Sequence, residues 1–167
     1  IIIPTYNEKD NISGIIKAVM DILPQAYIVV IDDNSPDGTA EIAQGLSRKN
    51  SHIHLVRRPK KSGLGQAYKE GFAYVLKNLD AEYIFEMDAD FSHDPRYLPI
   101  FIYYAGKFDL VTGSRFLRRV SIKNRSILRN IISLTTKWLA NFIIGLRLSD
   151  VTTGFKCFRR GMLEKID

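Results

Sequence analysis

At 167 residues, 46% hydrophobic and 25% charged, the chain has the length of one domain and the composition of an ordinary globular protein, which excludes wholesale disorder. Twenty-four Lys and Arg against 18 Asp and Glu give a formal charge of +6, a balance that favours anionic partners and leaves nucleic acid, a membrane surface and phosphorylated metabolites open. The single cysteine, Cys157, excludes an internal disulfide and a cysteine-based zinc cluster.

The first apolar run, "III" (Ile1 to Ile3), reads as a strand, and Ile12, Ile15, Ile16, Val19 and Leu23 follow at helical spacing. "YIVVI" (Tyr27 to Ile31) is a second strand. A helix is expected from about Asp37 to Lys49, with Ser35 as its cap and Pro36 in its first turn. "IHLVR" (Ile53 to Arg57) makes a third strand, and Ala67, Phe72, Val75, Leu76 and Leu79 mark a third helix. "YIFEM" (Tyr83 to Met87) and "DLVTG" (Asp109 to Gly113) are the fourth and fifth strands, and a long helical pattern runs from Arg125 to Gly145. No run reaches the roughly 18 apolar residues of a membrane span. The chain opens inside a strand, so one domain over residues 1–167, truncated at both ends, is expected.

Strands separated by helices, each too apolar for a one-sided sheet, indicate an α/β domain with a mostly parallel sheet covered on both faces. In such sheets ligands bind outside the carboxyl ends of the strands, where strand order reverses. Those ends carry "PTYNE" (Pro4 to Glu8), "DDNSPDGT" (Asp32 to Thr39) and "DADFSHDP" (Asp88 to Pro95). A strand order resembling 3-2-1-4 would converge them on one crevice.

Asp88 and Asp90, two apart in an extended segment, point to one side. Two aligned carboxylates suit Mg²⁺ or Mn²⁺, hard cations that keep waters and take phosphate oxygens. Asp33 is the better ligand candidate of its pair, with Ile31 as a wall for a nucleobase; Asp32 serves equally well as a helix cap. Arg115, Arg129 and Lys60 are cations with a plausible anionic target, and Ser133, four after Arg129, shares its helix face. His52 and His54 flank a strand and read as structural, and His93 reads as part of a helix start.

In order along nearly the whole chain, "PTYNE", "DDNSPDGT", "GLGQAY", "DADFSHDP", "GSRF" and "SDVTTGF" resemble the dolichol-phosphate mannose synthase family within the family 2 glycosyltransferases. The resemblance implies the Rossmann-like A-type fold of nucleotide-diphospho-sugar transferases. It implies that Pro4, Tyr6, Glu8, Ile31 and Asp33 hold the nucleotide of the donor, with Asp88, Ala89 and Asp90 at its diphosphate and metal. Ser92 stands where some members have a metal-reaching Gln. Arg115, Arg129 and Ser133 fall where the family grips donor and lipid phosphates. Asp150 is either a base or an organiser of those arginines. The implied reaction is inverting transfer of mannose from GDP-mannose to dolichyl or another polyprenyl phosphate, with Mg²⁺ or Mn²⁺, at the cytoplasmic face of a membrane. The implied partners are the membrane surface and membrane-anchoring subunits; nucleic acid is not among them.

A glucosyl or aminosugar transferase using a UDP-sugar is the nearest alternative. A phosphorylation receiver domain or a non-catalytic nucleotide-binding module would also set acidic residues at strand ends, but "DAD" with "GSRF" fits a receiver poorly.

Overall fold

The computed structural model describes residues 1–114 and 153–165. Two compact units divide the chain, Ile1–Val111 with Phe155–Asp167, and Thr112–Gly154. The first unit holds the core and all the strand-end clusters.

Its elements are β1 (Ile2–Thr5), α1 (Lys9–Ile22), β2 (Ile28–Asp32), α2 (Thr39–Lys49), β3 (Ile53–Arg57), α3 (Leu64–Asn78), β4 (Tyr83–Glu86), a 3-10 turn (Pro95–Tyr97), α4 (Leu98–Ala105), β5 (Leu110–Thr112), β6 (Lys156–Arg159) and α5 (Arg160–Leu163). The strand order is β3-β2-β1-β4-β6-β5. β1 pairs in parallel with β2 and β4, and β2 with β3. The β3-β2-β1-β4 order anticipated from the sequence is therefore present, with its switch point between β1 and β4.

Period-two alternation along buried strands builds two cores from single segments. Ile1 and Ile3, with Ile28, Val30, Phe85 and Met87, face Ile12, Ile15 and Val19 of α1 and Ala43 of α2. Ile2, Val29, Ile31 and Ile84 face the other way, onto Ala67, Tyr68 and Val75 of α3. α3 lies so close to β1 that a Cβ on Gly71 would sit 2.5 Å from Ile2 Cγ2. Glycine there is the condition for this helix-on-sheet contact.

The expected start of the second helix needs correction, and one strand was not anticipated. α2 begins at Thr39 behind Gly38, so Ser35 and Pro36 precede the helix and do not cap it. β6 pairs antiparallel with β4, Glu86 opposite Lys156, and its basic "KCFR" carries no strand periodicity. The expected helix from Arg125 to Gly145 lies outside the described residues. Among the described residues no helix is long and apolar enough to cross a membrane.

Candidate functional site

Each of the three strand-end loops turns through a non-glycine residue with positive φ: Asn7 (61°) after β1, Asn34 (60°) after β2 and Phe91 (59°) after β4. Asparagine tolerates this region; an aromatic side chain pays for it. The Phe91 ring lies over α1, where a Cβ on Gly14 would be 3.2 Å from Phe91 Cζ. Bulky residues held at positive φ gather at functional sites.

The β2–α2 loop caps α1 from outside. Asn7 N–H donates to Ser35 Oγ (3.1 Å), Glu8 N–H to Thr39 Oγ1 (3.0 Å) and Lys9 N–H to Asp37 Oδ2 (3.1 Å). Orphan donors at a helix start are satisfied this way. They also tie "PTYNE" to "DDNSPDGT".

Asp32 and Asp33 divide their labour. Fully buried Asp32 accepts hydrogen bonds from Thr5 Oγ1 (3.0 Å), Ser35 N–H (2.9 Å) and Ser35 Oγ (2.6 Å), so its carboxylate is committed to the loop. Asp33 instead pairs with buried Arg58, whose Nη1 donates to Asp33 Oδ1. Arg58 Nε lies 3.1 Å from Glu70 Oε1 of α3, within ion-pair distance though outside hydrogen-bond alignment. Burial alone would lower the Arg58 pKa; Asp33 and then Glu70 outweigh it and raise it.

After β4, Asp88 Oδ1 takes a hydrogen bond from the Tyr68 hydroxyl (3.3 Å), and Asp88 N–H donates to His93 Nδ1 (3.0 Å). This places the His93 proton on Nε2, 3.7 Å from Asp88 Oδ2. The His93 ring stacks on Phe155 of the "TTGF" stretch, centroids 5.0 Å apart. His93 thus supports the Asp88 backbone, and the helix-start role assigned to it belongs to Asp94, which accepts from Arg96 N–H at 3.0 Å. Burial drives the Tyr68 pKa upward, with the Asp88 charge adding to it, so its hydroxyl remains a donor. Desolvation tends to raise the Asp90 carboxyl, but hydrogen bonds from Ser92 prevail and hold it below the ordinary range.

A cavity of about 310 Å³ opens here, walled by Pro4, Thr5, Tyr6 and Glu8 from the β1 end, Asp33 from β2, Asp88, Ala89 and Asp90 from β4, and Lys61, Gly63, Leu64 and Ala67 from the start of α3. That volume suits a small ligand. Of the residues predicted to hold a nucleotide, Pro4, Tyr6, Glu8, Asp33, Asp88, Ala89 and Asp90 meet there. Ile31 does not: it is wholly buried in the α3-side core. Ser92 stands outside the wall and orients Asp90 through its N–H (2.9 Å). Arg115, Arg129, Ser133 and Asp150 lie outside the described residues. A larger cleft of about 580 Å³ sits at the opposite strand ends, with Leu23, Tyr27, Leu79 and Tyr83 among its walls, away from these carboxylates.

Sequence reasoning passed over Arg58, Lys61 and Tyr68. Arg58 and Lys61 sit in "RRPKK", a run that reads as solvated, and Lys61, not Lys60, lines the cavity with its ammonium 3.7 Å from the Tyr6 ring centre. Tyr68 closes "GLGQAY" and reads as part of a helical face. Position within a resembling motif was the available signal for Tyr68, whereas Arg58 and Lys61 lie outside those motifs. His52 and His54 are structural as read: His52 stacks on Tyr27 (4.9 Å) and His54 Nδ1 lies 3.1 Å from the Tyr74 hydroxyl.

Asp88 and Asp90 fit a hard divalent cation by donor chemistry. Among the described residues no three His, Cys, Asp or Glu side chains form a ligand cage. Mg²⁺ and Mn²⁺ sites that use one or two carboxylates with phosphate oxygens and water need none.

A mostly parallel sheet with carboxylates from three strand ends around a cavity at its switch point is an α/β domain with its ligand site at the carboxyl ends of the strands. Glucosyl-3-phosphoglycerate synthase from Mycobacterium tuberculosis, solved with Mn²⁺, UDP and phosphoglyceric acid, shares this fold with TM-score 0.69 at 16% identity, over 96% of this chain and 55% of that one. The chain belongs to glycosyl transferase family 2, whose pattern matches residues 1–167. It is 39% identical over 170 residues to polyprenol monophosphomannose synthase of Mycolicibacterium smegmatis, covering 100% of this chain and 63% of that protein. It is 36% identical over 166 residues to undecaprenyl-phosphate mannosyltransferase of Micrococcus luteus, covering 99% and 68%. The chain thus spans about two thirds of the length of these relatives.

Proposed function

We propose that the protein transfers mannose, with inversion, from GDP-mannose to a dolichyl or other polyprenyl phosphate at the cytoplasmic face of a membrane. The observation that carries this reading is the meeting of Asp88 and Asp90 with Asp33 and Tyr6 in one cavity, in a chain similar along its whole length to two polyprenyl-phosphate mannosyl enzymes.

Asp33, paired through one oxygen, accepts from N–H or O–H groups of the nucleotide, and Pro4, Tyr6 and Glu8 shape its surroundings. Lys61 reaches the same cavity as the carboxylates and supplies a cation for phosphate oxygens. Tyr68 and His93 hold the Asp88 segment in place before any ligand arrives, a form of preorganisation. Asp88 and Asp90 would hold Mg²⁺ or Mn²⁺, which would neutralise charge on the departing diphosphate, and Ser92 would serve that site by keeping Asp90 oriented. Arg115, Arg129 and Ser133 are assigned to the phosphates of donor and acceptor, and Asp150 to organising them. The acceptor phosphate is anionic near neutral pH, so it attacks without the general base that a sugar hydroxyl needs. Membrane-anchoring subunits belong to the same proposal.

The test is GDP binding by full-length protein with and without Mn²⁺. Affinity should rise with the metal, and Asp90→Ala should abolish that rise while the circular dichroism spectrum is unchanged. GDP binding indifferent both to metal and to Asp90→Ala would put the site elsewhere.

A further inference from the structure

The geometry points to Phe91 as a positioning residue for Asp90: its ring, seated on Gly14 of α1, holds the turn that aims the Asp90 carboxylate. This rests on Asp90 being a metal ligand.

Two locally unfavourable residues meet at this contact. Phe91 is held at φ 59°, a region that bulky side chains avoid. Gly14 sits inside α1, where glycine is the poorest helix former after proline. The two come from distant segments and touch: a Cβ on Gly14 would stand 3.2 Å from Phe91 Cζ and 3.5 Å from Cε2. A larger residue at position 14 would have to displace the ring, so each departure from local preference is explained by the other. Departures of this kind belong to functional sites. Burial does not account for them, because Phe91 is 47% exposed and recovers little by packing.

The link to the cavity is the Asp90 side chain. Its Oδ1 accepts from Ser92 N–H at 2.9 Å, a side-chain turn that spans Phe91. Rotation of Phe91 to a negative φ would swing the Ser92 N–H away from that oxygen, so the direction of the carboxylate is tied to the Phe91 backbone. Asp88 has separate supports in Tyr68 and His93. Asp90 lines the cavity and Phe91 does not, so Phe91 acts through Asp90 and not on a ligand.

The experiment measures Mn²⁺ binding to full-length protein in the presence of GDP, by the electron paramagnetic resonance of free Mn²⁺, together with metal-free GDP binding and the melting temperature. Phe91→Gly allows the same φ without strain and removes the ring. Mn²⁺ affinity should fall about tenfold or more, the usual effect of losing a residue that orients a metal ligand, while metal-free GDP affinity is unchanged. Gly14→Leu improves the helix and unseats the ring, so Mn²⁺ affinity should fall while the melting temperature holds or rises. Combining Gly14→Leu with Phe91→Gly should lose no more than Phe91→Gly alone, because the ring is already gone. If Phe91→Gly does not fold, Gly14→Leu decides the matter by itself. Mn²⁺ affinity within about twofold of wild type in either single variant, or losses that multiply in the double variant, overturns the inference while leaving the metal site intact. An equal fall in metal-free GDP affinity overturns it as well. Wild type that binds no Mn²⁺ with GDP would instead refute the metal site itself, and the role of Phe91 with it.

Discussion

Asp32→Asn tests how the strand-end loops are held. The Asp32 carboxylate is fully buried and accepts three hydrogen bonds, from Thr5 Oγ1 and from both the N–H and the hydroxyl of Ser35. Asparagine keeps one oxygen and turns the other acceptor into a donor that faces a donor. Hydrogen bonds to a charged group are worth about 1.5–3 kcal/mol each, and two of the three share Ser35, so their losses do not add in full. A loss of about 3 kcal/mol follows, or a fall of about 6–12 °C in Tm for a chain of this size. Thr5→Val removes one donor and leaves the other two, and should cost about 1 kcal/mol. Urea unfolding and calorimetry of the full-length protein measure both. A loss below about 1 kcal/mol for Asp32→Asn, or nucleotide affinity lost at unchanged Tm, would make Asp32 a ligand residue and refute the structural assignment.

Two further predictions concern the frame. Gly71→Ala places a methyl 2.5 Å from Ile2 Cγ2 in the α3–β1 contact; overpacking of about 1–3 kcal/mol, offset by about 1 kcal/mol of helix propensity, should leave a net loss near 1 kcal/mol in urea unfolding. A stabilised variant would show that the contact is loose. Desolvation pulls Asp37 upward, but hydrogen bonds from Thr39 and the N–H of Lys9 outweigh it and hold its carboxyl below the ordinary aspartate range. With the folded pKa depressed, its contribution is present at neutral pH and lost as pH falls through the folded value, below about pH 4. Asp37→Asn should therefore flatten the acid limb of the stability curve below about pH 4; an unchanged limb removes Asp37 from the loop's support.

How far the sequence revealed the site depended on whether its signal was local. "III" and "YIVVI" announce strands through unbroken apolar runs, while the 3-2-1-4 order was only the arrangement that would bring the strand-end clusters together, and the fold supplies it. The positions of Asp33, Asp88 and Asp90 at strand ends were equally legible, because a strand end is a local event. Partners were not. Nothing in "RRPKK" distinguishes buried Arg58 from exposed Arg57, since the difference is made by Asp33, 25 residues earlier, and by Glu70 on the next helix. Tyr68 is buried in the α3-side core, while its hydroxyl reaches Asp88 from a segment 20 residues away. Ser35 looked like a cap for the helix that follows it, yet it serves α1, because the loop folds back against an earlier segment. β6 has four residues and no alternation, and its place is set by pairing with β4.

Transfer is read directly by supplying radiolabelled GDP-mannose and polyprenyl phosphate to the full-length protein, with and without divalent metal, and counting label extracted into organic solvent. Metal-dependent extractable label that Asp90→Ala abolishes is the expected result. A folded protein that binds GDP-mannose and yields no extractable label under either condition would contradict it.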